Sequence, residues 1–357
     1  MNLQSCLILR GRDLGRDFDD IISEIKELQS DTNAFKAWQG DVTSLLNQLL
    51  DVIKEQKKEI AGLKEYAYIN RIRVESLPYE LRDREFKSSI FVPRILTKHE
   101  TRREVIDKKR SLSRFGDGEF GVIAGVGRWN FQGASEALSE KLRKVLDCRE
   151  EGLLIGLQRR FYGNLEEYSE MDADAVRAYM RPAVRRQHAE LLDPDRQYAN
   201  TLMHEIDNDE ELAELKEVWD KRECVFIEGR HTGMGVGNDL FNNCAGIERI
   251  LAPAENAIDR YDDIMSEAIK QSKDKLFLIA LGPTATALSY DLYKEGYQAV
   301  DIGHADLYYE KYTRKLGNIQ DVSIPFKYCS WDEVGQRREI EDITDDIYKS
   351  QIVARVY

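Results

Sequence analysis

Two carboxylates, Asp117 and Glu119, flank a glycine inside "SLSRFGDGEFGVIAG" (Ser111–Gly125), a stretch otherwise apolar enough to be a buried strand. "SLSRFG" reads as a strand, Gly116 and Gly118 mark a tight bend, and in an extended segment alternate side chains share a face. Two carboxylates on one face repel unless positive charge lies between them. A divalent cation meets that need. Mg²⁺ and Mn²⁺ prefer oxygen ligands, commonly one or two carboxylates, and take the remainder from water and substrate phosphates. Arg114 is placed to hold one of the carboxylates or a phosphate. A solvated acidic turn explains D-x-E on its own just as well, so its weight comes from what the chain sets beside it.

Three other stretches follow apparent strand ends. After "CVFIEG" comes "RHTGMGVGNDLF", with Gly233, Gly235 and Gly237 alternating and a helix expected to open at Asn238. A glycine-rich turn into a helix N-terminus presents backbone N–H groups to phosphate, and Arg230 and His231 add donors. The dinucleotide fingerprint would need a glycine where Asn238 stands and an acid after the next strand, so NAD is disfavoured. After "LFLIALG" comes "PTATALSYDLYKEG", where Pro283 suits a first helical turn and Thr284 and Thr286 can cap it. After "YQAVDIG" comes "HADLYYEKY", which gathers Asp301, His304, Asp306 and Glu310; His304 is then a metal ligand, a general base or a phosphate donor.

The elements that must hold these residues are legible from pattern. "LLIGL" (Leu153–Leu157), "CVFIEG" (Cys224–Gly229), "IERILAP" (Ile247–Pro253), "KLFLIALG" (Lys275–Gly282) and "YQAVDIG" (Tyr297–Gly303) read as buried strands. Helical stretches such as "ASEALSEKLRKVL" (Ala134–Leu146) and "AIDRYDDIMSEAIKQ" (Ala257–Gln271) lie between them. The alternation predicts an α/β fold: a Rossmann-like, mostly parallel sheet with helices on both faces, which binds ligands at the carboxyl ends of its strands.

The first part of the chain reads differently. Val42, Leu46, Leu49, Ile53, Gln56, Ile60, Leu63 and Ala67 alternate by four and three, the a and d spacing of a coiled coil, with lysines and glutamates between. Phe18, Ile22 and Ile25 share the spacing out of phase, so a break or stutter is expected across "DTNAFKAWQGD" (Asp31–Asp41). The organisation expected is a helical oligomerisation segment over 1–75, an irregular linker over 76–105 with Pro78 and Pro93, and the α/β domain over 106–357. The arginines of 172–192, among them Arg177, Arg181, Arg185 and Arg186, read mostly as a solvated helix face.

With 357 residues there is room for two domains, and a net charge of −13 argues against a nucleic-acid surface. Cys6, Cys148, Cys224, Cys244 and Cys329 show no C-x-x-C spacing and read as reduced thiols. No apolar run reaches membrane-spanning length and the N-terminus is a poor signal peptide, so a cytoplasmic homo-oligomer without a transmembrane segment is expected.

"RFGDGEF", "FIEGRHTGMGVGNDLF", "GPTATALSYDL" and "DIGHADLYYE", in that order between Lys109 and Tyr312, resemble the signature blocks of bacterial GT-D fold glycosyltransferases, first described as a domain of unknown function. The resemblance implies a nucleotide-sugar-dependent enzyme, with a UDP-sugar such as UDP-glucose as donor and a glycan or glycoprotein as acceptor. It maps the metal-linked acids onto Asp117 and Glu119, for Mn²⁺ or Mg²⁺. It maps the glycine-rich donor block onto Gly233 to Asn238 and the strand-end block onto Asp301, His304 and Asp306. With the residue reading above, the donor-binding set expected is Arg114, Gly116, Arg230, Gly233, Gly235, Gly237, Asn238, Thr284 and Asp301, and the catalytic set His304, Asp306 and Glu310. The family often carries an acid where Tyr308 stands here, with Glu310 two residues beyond, which leaves the base open. A different Mg²⁺-dependent nucleotide transferase and an inactive coiled-coil scaffold are the alternatives.

Overall fold

The computed structural model describes residues 14–80, 91–126, 132–163, 165–327 and 340–357; Cys6, Cys329 and linker residues 81–90 lie outside them. The chain divides into two units, residues 1–74 and 75–357.

The first unit is most of one helix, α1 (Leu14–Glu80), 67 residues long and on the order of 100 Å at 1.5 Å per residue. The break expected across Asp31–Asp41 is absent. Gly40 costs a helix only about 1 kcal/mol, and the turns on either side are held by a Phe35–Trp38 ring pair and by the Thr32 and Thr43 hydroxyls donating to carbonyls four residues back. The seam residues Leu46, Leu49, Ile53, Ile60 and Leu63 are exposed along it.

In the second unit β1 (Arg94–Ile95) and α2 (Lys98–Asp107) lead into β2 (Ser111–Phe115), α3 (Asp117–Ile123), α4 (Glu136–Asp147) and β3 (Leu153–Leu157). Then come α5 (Glu170–Tyr179), α6 (Pro182–Leu191), β4 (Gln197–Asn200), α7 (Asp209–Glu217), β5 (Glu223–Gly229) and β6 (Gly246–Ala252). The chain continues through α8 (Tyr261–Ala268), β7 (Leu276–Ala280), α9 (Pro283–Lys294), β8 (Gln298–Asp301), α10 (Ala305–Thr313), α11 (Asp346–Gln351) and β9 (Ile352–Arg355). The expected linker over 76–105 is thus, where described, the end of α1, an edge strand and a helix. Thr97 and Glu100 start that helix by a reciprocal capping box. The 172–192 arginines are not simply solvated. Arg177 grips Glu80 through two bonds, Arg181 grips Glu75, and Arg185 lies over the Tyr79 ring.

The strands form one nine-stranded parallel sheet in the order β1-β4-β3-β2-β8-β7-β5-β6-β9. Its central strands are apolar on both sides because both faces are covered. Phe120, Leu138, Val176, Ile264 and Leu288 carry α3, α4, α5, α8 and α9 on one face. Val105, Leu215 and Ala305 carry α2, α7 and α10 on the other. β2 and β8 are neighbours, paired at Leu112 and Val300. The helix after β2 goes to one face and the helix after β8 to the other, which makes their carboxyl ends the switch point where such sheets bind ligands.

Behind that point, Arg102 on α2 is fully buried and fixes the segment after β4. It donates to the carbonyls of Met203 at 2.7 Å and Glu205 at 2.8 Å, and pairs with Glu214 at 3.2 Å. Arg102→Leu should cost about 3–5 kcal/mol in a urea titration, because two carbonyls lose their donor and Glu214 is left with His99 alone; an unchanged midpoint would mean that water substitutes for the guanidinium.

Candidate functional site

β2 ends at Phe115, and Gly116 turns the chain straight into α3. The acids are therefore not in an extended segment, as the alternation suggested. They occupy the first turn of a helix, a position that favours carboxylates. Asp117 is exposed. Glu119 reaches back to accept the Gly116 N–H at 2.7 Å, half of a capping box. A Cβ at Gly116 would stand 3.3 Å from Gln158 Nε2 and 3.4 Å from Glu119 Oε2, so the bend has little room for a side chain.

Burial first, then the charge of Asp301, pushes the Glu119 carboxyl up to about 7, against the Gly116 hydrogen bond and with Asp117 adding to the rise. Asp301 itself ends β8, buried. It accepts from Arg114 Nη2 at 2.9 Å, and the Thr286 hydroxyl lies 3.3 Å from its other oxygen. Burial raises its pKa even so, with Arg114 opposing. Arg114 also donates to Thr201 O at 3.1 Å and meets His204 Nδ1 at 3.0 Å. Burial and the guanidinium hold His204 well below its ordinary pKa, so it is neutral and accepts at that nitrogen. Gly303, at φ +52°, gives the guanidinium its space, since a Cβ there would collide with Arg114 Nη2.

These groups border one open cavity of about 960 Å³ at the carboxyl ends of β2, β3, β4, β7 and β8. Arg114, Gly116, Asp117, Glu119, Asp301 and His304 line it. Gly282, the N-cap of α9 at φ +53°, and His304, the N-cap of α10, also border it, and neither gives its helix a side-chain cap. Two helix N-termini therefore open on the cavity, an arrangement suited to anionic oxygens.

The other expected residues lie outside its lining: Arg230, Gly233, Gly235, Gly237, Asn238, Thr284, Asp306 and Glu310. No helix opens at Asn238. Residues 230–245 form successive turns, because Gly233, Gly235 and Gly237 all take left-handed φ values that end any helical run. The loop's donors turn inward. Glu228 accepts the Met234 N–H at 2.7 Å while paired with Arg249, Asp306 Oδ2 takes Lys327 Nζ at 2.5 Å with the Gly235 N–H at 3.4 Å, and Glu310 accepts Asn238 Nδ2 at 2.8 Å. Thr284 is buried, its hydroxyl 3.4 Å from Gln132 Oε1.

Sequence reasoning missed Gln158 and Arg160 after β3, Thr201 and His204 after β4, and Thr232 and Tyr308. The polar "QRR" directly after "LLIGL" was the available signal for the first two.

Asp301, Asp306, Glu228 and Glu310 each have a fixed cation in Arg114, Lys327, Arg249 and Arg314. Among the described residues no ion pair joins Glu119 to a basic side chain, and no group of three or more His, Cys, Asp and Glu converges as a ready metal cage. Asp117 and Glu119, on the wall of the same cavity, are the residues that could give oxygen ligands to a hard cation, the rest of its shell coming from water and phosphate oxygens.

Residues 112–330 match the glycosyltransferase GT-D fold family. A probable glycosyl transferase, Gly, of Streptococcus gordonii is 34% identical over 263 residues, which are 71% of this chain and 37% of that protein. The glycosyltransferase GlyD of Streptococcus pneumoniae serotype 4 is 31% identical over 277 residues, 72% of this chain and 32% of that protein. The chain thus spans about a third of the length of these curated relatives. A solved structure described as a new glycosyltransferase (DUF1792) from Streptococcus sanguinis superposes with a TM-score of 0.68 at 30% identity, covering 74% of this chain and all of that one.

The raised Glu119 carboxyl has a measurable consequence in metal-free protein. Between the ordinary 4.5 and about 7 the unfolded chain ionises this group while the folded chain keeps its proton, so its contribution to stability falls as pH rises through that window. Glu119→Gln mimics the neutral form. Its melting temperature relative to wild type should therefore be higher at about pH 8 than at about pH 5, and an equal offset at both would mean that Glu119 titrates normally.

Proposed function

Because the chain belongs to the glycosyltransferase GT-D fold family, we propose that it transfers a sugar from a nucleotide-sugar donor, a UDP-sugar such as UDP-glucose, to a hydroxyl of a glycan or glycoprotein. The observation that carries the reading is the placing of Asp117 and Glu119 on the first turn of α3, on the same cavity as the start of α9 and the Arg114–Asp301 pair.

Asp117 and Glu119 would hold Mn²⁺ or Mg²⁺, whose charge offsets that of the departing diphosphate. The N–H groups at the starts of α9 and α10 donate to phosphate oxygens, aimed where charge grows as the glycosidic bond breaks. Arg114, fixed by Asp301, Thr201 and His204, keeps these strand ends in register. His304 is the member of the expected catalytic set that borders the cavity, so the acceptor's proton is assigned to its imidazole. Asp306 and Glu310 instead hold the glycine loop against α10.

α1 is read as a strand of a coiled coil. Its seam residues Leu46, Leu49, Ile53, Ile60 and Leu63 are 47–67% exposed in the single chain, and a second copy would cover them. The free thiols of Cys148, Cys224 and Cys244 suit a reducing compartment, and the protein is assigned to the cytoplasm.

Two measurements test this reading. A nucleotide-sugar panel, with and without Mn²⁺ and read as released diphosphate, should show hydrolysis of a UDP-sugar that falls ~100-fold or more in Asp117→Asn, with loss of Mn²⁺-enhanced UDP binding. Full-rate turnover in that variant removes the metal assignment, and preference for ATP or CTP moves the site to another transferase class. By light scattering the full chain should be a multimer that Leu49→Lys with Ile53→Lys disperses; a wild-type monomer ends the coiled-coil reading.

A further inference from the structure

A second open cavity, of about 920 Å³, lies beside the first. The two share Asp117, Gln158, Arg160 and Tyr308 as a common wall. The outer wall of the second comes from the turn after β3 and from α5: Phe161, Asp172, Ala175 and Tyr179. A transferase needs a place for its second substrate within bonding distance of the first, and a cavity that shares a wall with the donor cavity meets that requirement.

Its lining indicates what would enter. The rings of Phe161 and Tyr179 stand 4.8 Å apart between centroids, giving an aromatic surface of the kind that takes the C–H face of a sugar ring. Asp172 offers a carboxylate acceptor to hydroxyls and Gln158 adds an amide, while Asp117 on the shared wall belongs to the metal assignment above. Asp172 is matched by one cation of the lining, Arg160, whose Nε is engaged by Gln158 at 3.0 Å. One charge of each sign leaves no net charge to hold an anionic acceptor, which suits a neutral one. Tyr308 and His304 are four residues apart at the start of α10, where the Tyr308 N–H bonds the His304 carbonyl. They therefore lie on one side of the helix, Tyr308 on both cavities and His304 on the first.

We propose that this second cavity is the acceptor subsite and that it takes the neutral, hydroxyl-bearing sugar end of a glycan. The assignment rests on the glycosyltransferase reading given above. The acceptor hydroxyl passes Tyr308 and Asp117 into the donor cavity. Its oxygen bonds the anomeric carbon as the bond from that carbon to the diphosphate oxygen breaks. The electron pair leaves with the diphosphate, and the hydroxyl proton goes to the His304 imidazole.

The test uses the full chain and separates the two substrates. Hydrolysis of the UDP-sugar reports the donor cavity alone; transfer to p-nitrophenyl glycosides of neutral hexoses and N-acetylhexosamines reports both. Ala175→Trp, at an exposed helix position, fills the subsite without disturbing the core, and Tyr179→Ala removes its aromatic surface. Each should raise the KM for glycoside about tenfold, the worth of one aromatic contact, with hydrolysis unchanged. Hydrolysis preserved with an unchanged glycoside KM in both variants overturns the subsite. Transfer to a hydroxyl-bearing peptide and to no glycoside overturns the sugar assignment. A wild-type chain that hydrolyses no nucleotide sugar overturns the donor reading, and this proposal with it.

Discussion

The ion pair between Arg114 and Asp301 spans the two strands whose following helices leave to opposite faces of the sheet. Burying such a pair is costly, and it holds only where the remaining donors and acceptors are also met. Here most are supplied from three strand ends, and Arg114 Nε is the one buried donor of the pair left without a hydrogen-bond partner among the described residues. Thr201 and His204 follow β4, Thr286 stands on the helix after β7, and Gly303 after β8 leaves the guanidinium its space. The pair thus fixes the mouth of the sheet. It also adds to the electrostatics: burial first and then the guanidinium lower the His204 pKa, and burial first and then the negative charge of Asp301 raise the Glu119 carboxyl.

A second network does for the loop after β5 what this pair does for the cavity. Glu228, Asp306 and Glu310 come from two elements, carry Arg249, Lys327 and Arg314, and also accept from residues 234–238, Glu228 and Glu310 through their second oxygen and Asp306 through the oxygen that meets Lys327. Most acids at these strand ends are therefore structural ions with fixed counter-charges. Glu119 stands apart by lacking one among the described residues, and that difference, more than the D-x-E pattern itself, separates it from the rest.

The sheet was legible where strands are buried on both sides. "LLIGL" and "LFLIA" are continuous apolar runs with every residue buried. The edge strands β1 and β9, and β4 beside β1, were not legible: β1 is two residues long, β4 is "QYAN", and β9 half-exposes "IVAR". With β4 unseen, Thr201 and His204 had no strand end to be found after. The alternating glycines read locally as a phosphate loop. Whether such a loop gives its N–H groups to a ligand or to the protein depends on Asp306 and Glu310, some 70 residues away, which no local pattern contains. Asp117 and Glu119 were found by type and spacing, while their backbone was misread, because the one-residue bend at Gly116 leads into a helix and not onward as a strand.

That misreading changes what the spacing means. Two residues apart on a strand share a face, but on a helix they are turned by about 200°. Asp117 and Glu119 consequently do not form a matched pincer. Glu119 folds back to Gly116 and borders only the first cavity, whereas Asp117 points outward and borders both. A single helical turn directly off the central strand thus serves two spaces from two consecutive odd positions. The reach of Asp117 into the second space and the anchoring of Glu119 in the first both follow from the helix starting immediately at Asp117, which Gly116 permits by leaving room for the Glu119 carboxylate to close over it.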